Sequence, residues 1–437
     1  VPEDVVIPTD ADLTLDLNGF TLTNVSDHTI TNNGTLTIVG NGTVDNITHA
    51  HAAIMNNGTM TINGGTFTRS QETQDYVDDG ADNSWYTVVN KGTMTINDGT
   101  FTTADGQSAN LGNRSSLIRN GDATDNSNVT LAINGGTFTS GANVLKNEAG
   151  AVISSITGGV FTMDNSVISW YGGNNVVQNA GTITSITGGT FRAIGSGMSA
   201  DEDSSYYRNG IWNSGSIANM GGDVSFVMEG DQNQLICLGT GGTELNITGG
   251  SYNVVEGELE SNSLFYVSAN NPNTPVISGG SFSDPVSPES LDDGLNAELY
   301  SRSNSDTPYS YYSTVEKAMD AAQPGDIVTD LSKVTSDTRY NVTFNYGNND
   351  SETVSVSAGA TITFTAPTRS GYEFRGWRDN SGELHKAGET VTVNSDMVFT
   401  AIWNAINIPD TYDIEIADAA NGSVDTSLSN ASAGTTI

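Results

Sequence analysis

A short segment of two glycines, a threonine and a phenylalanine recurs through the first two thirds of this 437-residue chain. Its clearest copy, at residues 63–67, reads Asn-Gly-Gly-Thr-Phe. The copies and their weaker variants end at Phe67, Phe101, Phe138, Phe161, Phe191, Tyr252 and Phe282. Repetition at roughly 20–40 residues is typical of stacked architectures, in which each unit buries its apolar face only against its neighbours. We therefore expect a rod of stacked coils with these aromatic residues in its interior.

A second repeat precedes the Gly-Gly segments: a short apolar run that ends in asparagine. Because side chains two positions apart share one face of a strand, the asparagine and the apolar residue two positions before it should both point inward. Stacked about 4.8 Å apart, such asparagines can hydrogen-bond along the rod, since an amide both donates and accepts. The predicted structural ladder is Asn32, Asn56, Asn90, Asn120, Asn147, Asn179 and Asn213. Each unit then holds three short strands separated by corners, which is the anatomy of a parallel β-helix.

The residue before each asparagine is predicted to face outward, because it lies one position from an inward side chain. The residues of this row are Met55, Val89, Arg119, Lys146, Gln178 and Trp212. Two adjacent basic side chains and a tryptophan on an acidic rod make the row a candidate for recognition.

Coil length varies because residues are inserted between the aromatic residue and the next asparagine-bearing strand. The insertions are 69–84, 102–115, 162–174, 193–209 and 255–263. They should emerge along one edge of the rod, and loops on a rigid scaffold commonly carry binding. Aromatic rings beside carboxylates suit sugar binding; the alternative is that the rings pin the loops to the coils. The candidate ligand-binding residues are Tyr76, Trp85, Tyr86, Trp170, Tyr171, Tyr206, Tyr207 and Trp212.

Two of these insertions also carry neighbouring acids, whose hard oxygen atoms are the ligands that Ca²⁺ prefers. The candidate metal ligands are Asp78, Asp79, Asp201 and Asp203. They lack EF-hand spacing, so Ca²⁺ stays an open alternative and no other cofactor is expected.

Charge and composition restrict the partners of the chain. With 51 acidic and 15 basic residues, the formal net charge of −36 disfavours nucleic acid and anionic membrane surfaces. The lone Cys237 forms no intrachain disulfide, and no stretch is long and apolar enough to span a bilayer. No signal peptide precedes Val1, so we expect a monomeric piece of a longer secreted protein, with its targeting and anchoring segments elsewhere.

An enzymatic site is not expected from the sequence. Glycoside hydrolysis requires carboxylates at a fixed separation, yet acids are scarce in the strands and gather in the insertions. A polysaccharide lyase or glycoside hydrolase is the alternative function. Regular Thr-x-Thr segments, such as residues 59–61, leave ice or surface binding as a third class, although threonine is favoured on strands in any case.

The periodicity ends near Phe282, and a different organisation follows. Residues 313–316 read Ser-Thr-Val-Glu, a capping box that predicts a short helix stopped by Pro324 and Gly325. We expect residues 283–339 to form a cap and linker that covers the open end of the rod.

Two family resemblances accompany these patterns. Residues 1–282 resemble the right-handed parallel β-helices of bacterial surface proteins, the pectate-lyase-like superfamily. Residues 371–377, Gly-Tyr-Glu-Phe-Arg-Gly-Trp, with Ala-Ile-Trp-Asn at 401–404, are similar to the Listeria–Bacteroides repeat, the internalin-type B repeat, over 340–404. That resemblance implies a small β-grasp-like extracellular module with Tyr372, Phe374, Trp377 and Trp403 in its core. Residues 405–437 are interpreted as a linker and the truncated start of a further β module.

The combined expectation is an all-β fold: a right-handed parallel β-helix, a capping segment and a small β-grasp-like repeat module. The expected function is that of a non-enzymatic cell-surface adhesin or stalk protein, of a Gram-positive bacterium. It would contact an extracellular glycan or protein through loops on one edge of the β-helix and carry its repeat module toward the cell wall.

Overall fold

The computed structural model describes residues 1–48, 51–70, 86–102, 117–122, 125–141, 143–164, 175–194, 208–230, 233–243, 245–255, 263–334, 338–406, 412–413 and 430–431. The chain forms two compact units, Val1–Ala321 and Ala322–Ile437. The fold is all-β, as expected, and residues 1–282 form a parallel β-helix.

One side of every coil contributes a strand to a ten-stranded, wholly parallel sheet, called here the first sheet. Its strands are Val5–Ile7, Ile30–Asn32, Ile54–Asn56, Val88–Asn90, Ile118–Asn120, Leu145–Asn147, Asn175–Asn179, Arg208–Asn213, Asn233–Leu238 and Ser263–Val267. Each strand pairs with the corresponding strand of the next coil, so equivalent residues of successive coils form straight rows.

The other two sides of the coils also form parallel ladders. Strands on the second side are Asp12–Asp16, Thr35–Val39, Thr130–Ile133, Val152–Ile156 and Thr182–Ile183. Strands on the third side are Thr21–Thr23, Thr43–Asp45, Thr137–Ser140 and Val160–Asp164. Strands that run through both sides are Thr59–Thr68, Thr93–Thr102, Ile186–Ile194, Ser216–Glu229, Leu245–Val254 and Val276–Phe282.

The Gly-Gly corner between these two sides has a steric origin. Gly159 has φ of 107°, in the left-handed region that favours glycine, and a Cβ there would lie 3.2 Å from the Phe161 ring. The corner that follows most of the ladder asparagines is tighter still, since a Cβ at Gly58 would lie 2.1 Å from the carbonyl oxygen of Gly34. Glycine therefore lets successive coils approach to the spacing of paired strands.

The aromatic residues stack in the interior at the spacing of the coils. From Phe67 to Phe226 successive ring centroids lie 4.6–4.9 Å apart with interplanar angles of 4–13°. Tyr252 and Phe282 continue the stack at 5.8 and 5.1 Å. Phe226 is a member that the sequence repeat did not reveal, since three residues rather than one separate it from Gly222.

The asparagines at the predicted ladder positions are all buried. From Asn32 to Asn179, each side-chain Nδ2 donates to Oδ1 of the asparagine in the next coil at 2.7–2.8 Å. The ladder stops at Asn213 because its neighbour in the following coil is Leu238. Among the described residues, Asn213 Nδ2 consequently has no acceptor.

Residues 283–321 pack on the last coil. A 3-10 turn at Pro288–Ser290 precedes strands Ala297–Tyr300 and Tyr309–Tyr312. The latter strand pairs antiparallel with Val276–Phe282 and so covers part of the edge that the last coil would expose.

The helix of this segment, Val315–Ala321, begins one residue later than the predicted capping box implies. Thr314 Oγ1 accepts from the backbone N–H of Lys317 at 3.3 Å, so Thr314 rather than Ser313 caps the helix. Ser313 Oγ instead accepts from Lys317 Nζ at 2.9 Å. The capping-box assignment is wrong by one position because both hydroxyl residues fit the sequence rule.

The second unit contains a five-stranded mixed sheet with the order Asp350–Ser357, Arg339–Gly347, Met397–Ala405, Tyr372–Arg378, Leu384–His385. Its first and last long strands, Arg339–Gly347 and Met397–Ala405, are parallel neighbours, which is the β-grasp-like arrangement expected. The remaining strands of the unit are Ile327–Asp330, Thr361–Thr363, Thr390–Thr392, Tyr412–Asp413 and Asn430–Ala431.

The predicted aromatic core of this module is only partly correct. Trp377 is buried, whereas Phe374 and Trp403 are half-buried and Tyr372 is 37% exposed. A β-bulge after Phe374 keeps these rings on one face of the sheet, but the strand runs past the edge of the core toward Tyr372. Tyr372 therefore packs against the guanidinium of Arg369, 4.0 Å from its ring centroid.

Candidate ligand-binding surface

The outer face of the first sheet carries one side chain from each coil in a continuous row. Strand register aligns Val6, Thr31, Met55, Val89, Arg119, Lys146, Gln178, Trp212, Cys237 and Tyr266. We call these residues the outer row. It contains the six outward positions predicted from the sequence and extends them by two residues at its start and two at its end.

The part of the outer row at Met55 and Val89 is covered, whereas Val6 at its start is 62% exposed. Met55 and Val89 are buried in a cluster with Ala52 and Tyr86, and Tyr86 is only 7% exposed. The guanidinium of Arg119 lies 5.2 Å from the centre of the Tyr86 ring. Met55 and Val89 therefore lie in the outward row as predicted but are buried there, and the expected exposure of Tyr86 is wrong. The Tyr86 ring packs against the aliphatic side chains beneath it, as in the pinning alternative.

The two basic residues of the row share one carboxylate. Glu148 Oε1 lies 2.7 Å from Arg119 Nε and 2.9 Å from Lys146 Nζ. A similar pair joins Lys91 Nζ to Asp122 Oδ2 at 3.0 Å. The positive charge that the sequence suggested as a recognition feature is thus largely neutralised by a neighbouring corner residue.

The end of the outer row exposes two aromatic rings. Trp212 is 39% exposed and Tyr266 is 47% exposed, while Cys237 between them is 1% exposed. Two coils separate the rings, which corresponds to about 9–10 Å at the spacing of paired strands. We call Gln178, Trp212 and Tyr266 the aromatic ledge. Within the described part of the chain, neither Trp212 Nε1 nor the Tyr266 hydroxyl makes a hydrogen bond, so both polar ends are available.

The remaining member of the ledge supplies an amide. Gln178 Oε1 accepts from Asn143 Nδ2 at 2.9 Å, which orients the side chain beside Trp212. Its Nε2 donates to none of the described residues and completes a row of neutral polar groups next to the exposed rings.

A second asparagine ladder lies where two insertions rejoin the first sheet. Asn175 Nδ2 donates to Asn143 Oδ1 at 2.9 Å, and Asn209 Nδ2 donates to Asn175 Oδ1 at 2.8 Å. These buried amides fix the ends of the insertions relative to the ledge. This second ladder could have been predicted from the sequence, because Asn175 and Asn209 both lie four residues before a ladder asparagine.

Tyr266 was also missed from the sequence. Its coil places Val267 and the preceding coil places Leu238 where earlier coils have the ladder asparagine, so the repeat that marks the row is absent. Alignment on the apolar position instead would have found Tyr266, since Phe265 pairs with Ile236, which pairs with Ile211.

Most of the predicted binding residues lie outside the described residues. They are Tyr76, Trp85, Trp170, Tyr171, Tyr206 and Tyr207, together with the candidate metal ligands Asp78, Asp79, Asp201 and Asp203. Of the predicted ligand-binding set, the structure therefore places Tyr86, which is buried, and Trp212, which is exposed.

A cluster of titratable groups lies near the start of the rod. Asp27 Oδ1 is 3.4 Å from His51 Nδ1 and 3.9 Å from His28 Nε2. His28 Nδ1 accepts the backbone N–H of Ala52 at 2.8 Å, and burial lowers the pKa of its imidazole. Sequence reasoning did not bring the three together, although His28 and His51 precede Asn32 and Asn56 by similar distances.

The nearby Asp4 is unsuited to acid catalysis. Its carboxylate accepts the backbone N–H groups of Val25 and Ser26. The N–H of Val25 is the main cause that lowers the pKa of Asp4 to about 2, so the group stays ionised and organises the turn. The arrangement leaves Asp27 as the carboxylate facing the histidines, whereas glycoside hydrolysis commonly requires two.

Comparison with known proteins gives one match. Residues 340–402 match the family model of the Listeria-Bacteroides repeat domain, in agreement with the residues that carry the resemblance. No curated protein and no solved structure matches the chain. Among the described residues, none of the helices has the length and apolar character needed to cross a membrane.

Proposed function

We propose that this chain is a non-enzymatic, adhesin-like protein of the cell surface that binds a neutral extracellular glycan on the aromatic ledge. The observation that carries the proposal is the exposure of Trp212 and Tyr266 at a fixed separation on a rigid parallel sheet.

The ledge has the chemistry that sugar recognition requires. An aromatic face offers a flat apolar surface to the C–H groups of a pyranose, while Gln178, the indole N–H and the phenol can bond its hydroxyls. The rings stand on hydrogen-bonded strands, so little conformational freedom is lost when a ligand binds. The buried amides of Asn143, Asn175 and Asn209 add to this rigidity.

Charge narrows the ligand class to neutral glycans. The net charge of −36 repels polyanionic polysaccharides as well as nucleic acids. The only charged members of the outer row, Arg119 and Lys146, are paired with Glu148. A protein ligand is the competing occupant of the same ledge.

The second unit supports a location outside the cell. The repeat domain matched at residues 340–402 is typical of extracellular and surface proteins. In this proposal the module belongs to a stalk toward the cell wall of a Gram-positive bacterium, and the β-helix, as a monomer, presents the ligand-binding surface. Ca²⁺ in the acidic insertions is compatible with this role.

One observation favours a second function, a polysaccharide lyase or glycoside hydrolase. Asp27, His28 and His51 bring a carboxylate and two imidazoles within a few ångströms of one another. Imidazole and carboxylate are common general bases, so the cluster is the place where catalysis would be sought.

A glycan array with the full chain tests the proposal, followed by titration of the best ligand against variants. Trp212→Ala and Tyr266→Ala should each weaken binding about fivefold to 150-fold, given that stacked aromatic contacts contribute about 1–3 kcal/mol. Tyr372→Ala removes an equally exposed ring from the second unit and is the matched control.

Further measurements separate the alternatives. Loss of binding in Trp85→Ala, Trp170→Ala or Tyr206→Ala with full binding in the ledge variants would move the site into the insertions. If no glycan on the array binds but a protein ligand does, the ligand of the aromatic ledge is a protein rather than a glycan. Reducing-sugar or unsaturated products that vanish in Asp27→Asn would support the enzyme instead.

A further inference from the structure

A cluster in the second unit has the geometry of a metal site. Asp379, Glu383 and His385 lie on the hairpin that joins Tyr372–Arg378 to Leu384–His385, and their potential ligand atoms all lie within 4.8 Å of one another. The backbone N–H of Asp379 donates to the carbonyl of Glu383 at 3.0 Å, which closes the loop. Since Glu383 and His385 are two positions apart, their side chains share one face of the hairpin with Asp379.

The carboxylate of Asp379 is held so that one oxygen remains for a ligand. Its Oδ1 accepts from Ser381 Oγ at 2.8 Å and from the backbone N–H groups of Ser381 and Glu383 at 2.9 Å. Metal-ligating carboxylates are commonly hydrogen-bonded in this way through the other oxygen.

The imidazole is equally well oriented. The His385 ring stacks on Phe364, with centroids 5.3 Å apart, and meets Phe399 edge-on at 5.8 Å. This packing turns Nε2 toward Asp379 Oδ2 without a side-chain rearrangement. Sites held by packing in this manner lose little entropy on binding an ion.

The distance between Asp379 Oδ2 and His385 Nε2 suits two ligands of one metal ion better than a strong hydrogen bond between the two side chains. Asp379 Oδ2 and His385 Nε2 are 3.4 Å apart. A charge-assisted N–H···O bond is usually about 2.7–2.9 Å long. Two ligands on a tetrahedral Zn²⁺, with bonds of about 2.0–2.2 Å, lie about 3.3–3.5 Å apart.

The cluster of Asp27, His28 and His51 also combines carboxylate and imidazole groups, but its hydrogen-bond pattern is different. The backbone N–H of Ala52 donates to His28 Nδ1, so neutral His28 carries its proton on Nε2, the atom that faces Asp27. That nitrogen has no lone pair for a metal. In the described part of the chain no backbone N–H donates to the His385 ring, so its Nδ1 can carry the proton. Nε2, which contacts Asp379 Oδ2 at 3.4 Å, can then bind an ion that replaces this contact.

We propose that Asp379 Oδ2, His385 Nε2 and the Glu383 carboxylate bind a divalent transition-metal ion of the zinc class, with the fourth position open to water. Zn²⁺ accepts both imidazole nitrogen and carboxylate oxygen as ligands, and its sites with three protein ligands keep the fourth position for water. The ion links both ends of the hairpin and stabilises the module. This inference is independent of the glycan proposal.

The test is Co²⁺ and Zn²⁺ titration of the full chain after chelator treatment, in excess Ca²⁺ to occupy the acidic insertions. We expect a tetrahedral Co²⁺ visible spectrum at one ion per chain, displaced by Zn²⁺. Glu383→Gln changes an exposed side chain and should weaken binding at least about tenfold, as should His385→Gln. His51→Gln is the matched control and should bind as the unchanged chain does.

Several outcomes would overturn the site. Absence of stoichiometric Co²⁺ binding by the unchanged chain is one. Unchanged affinity in Glu383→Gln is another, and this variant decides the matter if His385→Gln fails to fold. Loss of binding in His51→Gln with retention in the hairpin variants would place the metal at the start of the rod instead.

Discussion

The indole of Trp212 lies across Gly239 of the next coil. Gly239 follows Leu238, the residue that takes the ladder position in that coil. A Cβ on Gly239 would be 3.3 Å from Trp212 Nε1 and 3.5 Å from two ring carbons. The absence of a side chain at residue 239 thus allows the exposed ring to approach the backbone of the next coil closely.

Gly239→Ala should therefore lift the indole and weaken glycan binding without unfolding the protein. The contact is tight but involves the far end of a side chain, so we expect a stability change within about 0.5 kcal/mol. Loss of part of the stacking contact corresponds to a weakening of about twofold to tenfold. Titration calorimetry and thermal melting of the same preparation measure both effects. Unchanged affinity would show that the ring position does not matter for binding.

Cys237 reports on the same surface because it is the only cysteine and lies between Trp212 and Tyr266 in the outer row. Burial raises the pKa of its thiol to about 11, so little thiolate is present near pH 8. Alkylation by iodoacetamide, followed by mass spectrometry, should be at least about tenfold slower than in the urea-unfolded chain. Trp212→Ala should speed it, whereas Tyr372→Ala should not. Rapid alkylation of the folded chain would contradict the buried placement.

Interruption of the asparagine ladder should cost more in its middle than at its end. Asn120→Ala deprives Asn147 Oδ1 of its donor and Asn90 Nδ2 of an acceptor. We expect the free energy of unfolding to fall by about 2–3 kcal/mol. Asn213→Leu reproduces the residue of the next coil and removes an Nδ2 that is already unpartnered, so it should cost about 1 kcal/mol less. Urea unfolding followed by circular dichroism compares the two. Equal costs would argue against a ladder of coupled amides.

The start of the rod should lose stability as the pH falls through the range of histidine titration. Burial lowers the pKa of His28 below its unfolded value of about 6.5, so the unfolded chain binds more protons there. The stabilisation that comes from keeping His28 neutral is complete above about pH 6.5 and declines as the pH falls below that value. Hydrogen exchange of the Ala52 amide and urea unfolding at pH 7.5 and 5.5 measure this decline.

His28→Asn is the matched control for that pH dependence. Its Oδ1 can replace Nδ1 as the acceptor for Ala52 N–H but does not titrate, so the difference between pH 7.5 and 5.5 should shrink. An equally large difference in His28→Asn would assign it to other groups. Asp4, with its pKa lowered to about 2, affects stability only between about pH 4 and 2.

The sequence predicts which side chains of the candidate site face outward, but it does not predict which of them stay exposed. Trp212 is predicted to face outward by its place beside Asn213, and it does. The same rule applies to Val89, yet Val89 is buried because Tyr86 and its neighbours cover it. Periodicity gives the direction of a side chain relative to its strand, but the atoms that lie above it come from distant parts of the chain.

The repeat in the sequence by itself determined the stacked coils, the ladder positions and the aromatic interior, because strand alternation and a constant coil spacing bring identical residues into register. Tertiary structure decided which outward residues stay exposed, as the contrast between Tyr86 and Tyr266 shows. It also decided that Glu148 neutralises Arg119 and Lys146, and that Asp379 faces His385. These relationships depend on side-chain packing between neighbouring coils and across a hairpin, for which a local sequence pattern holds no information.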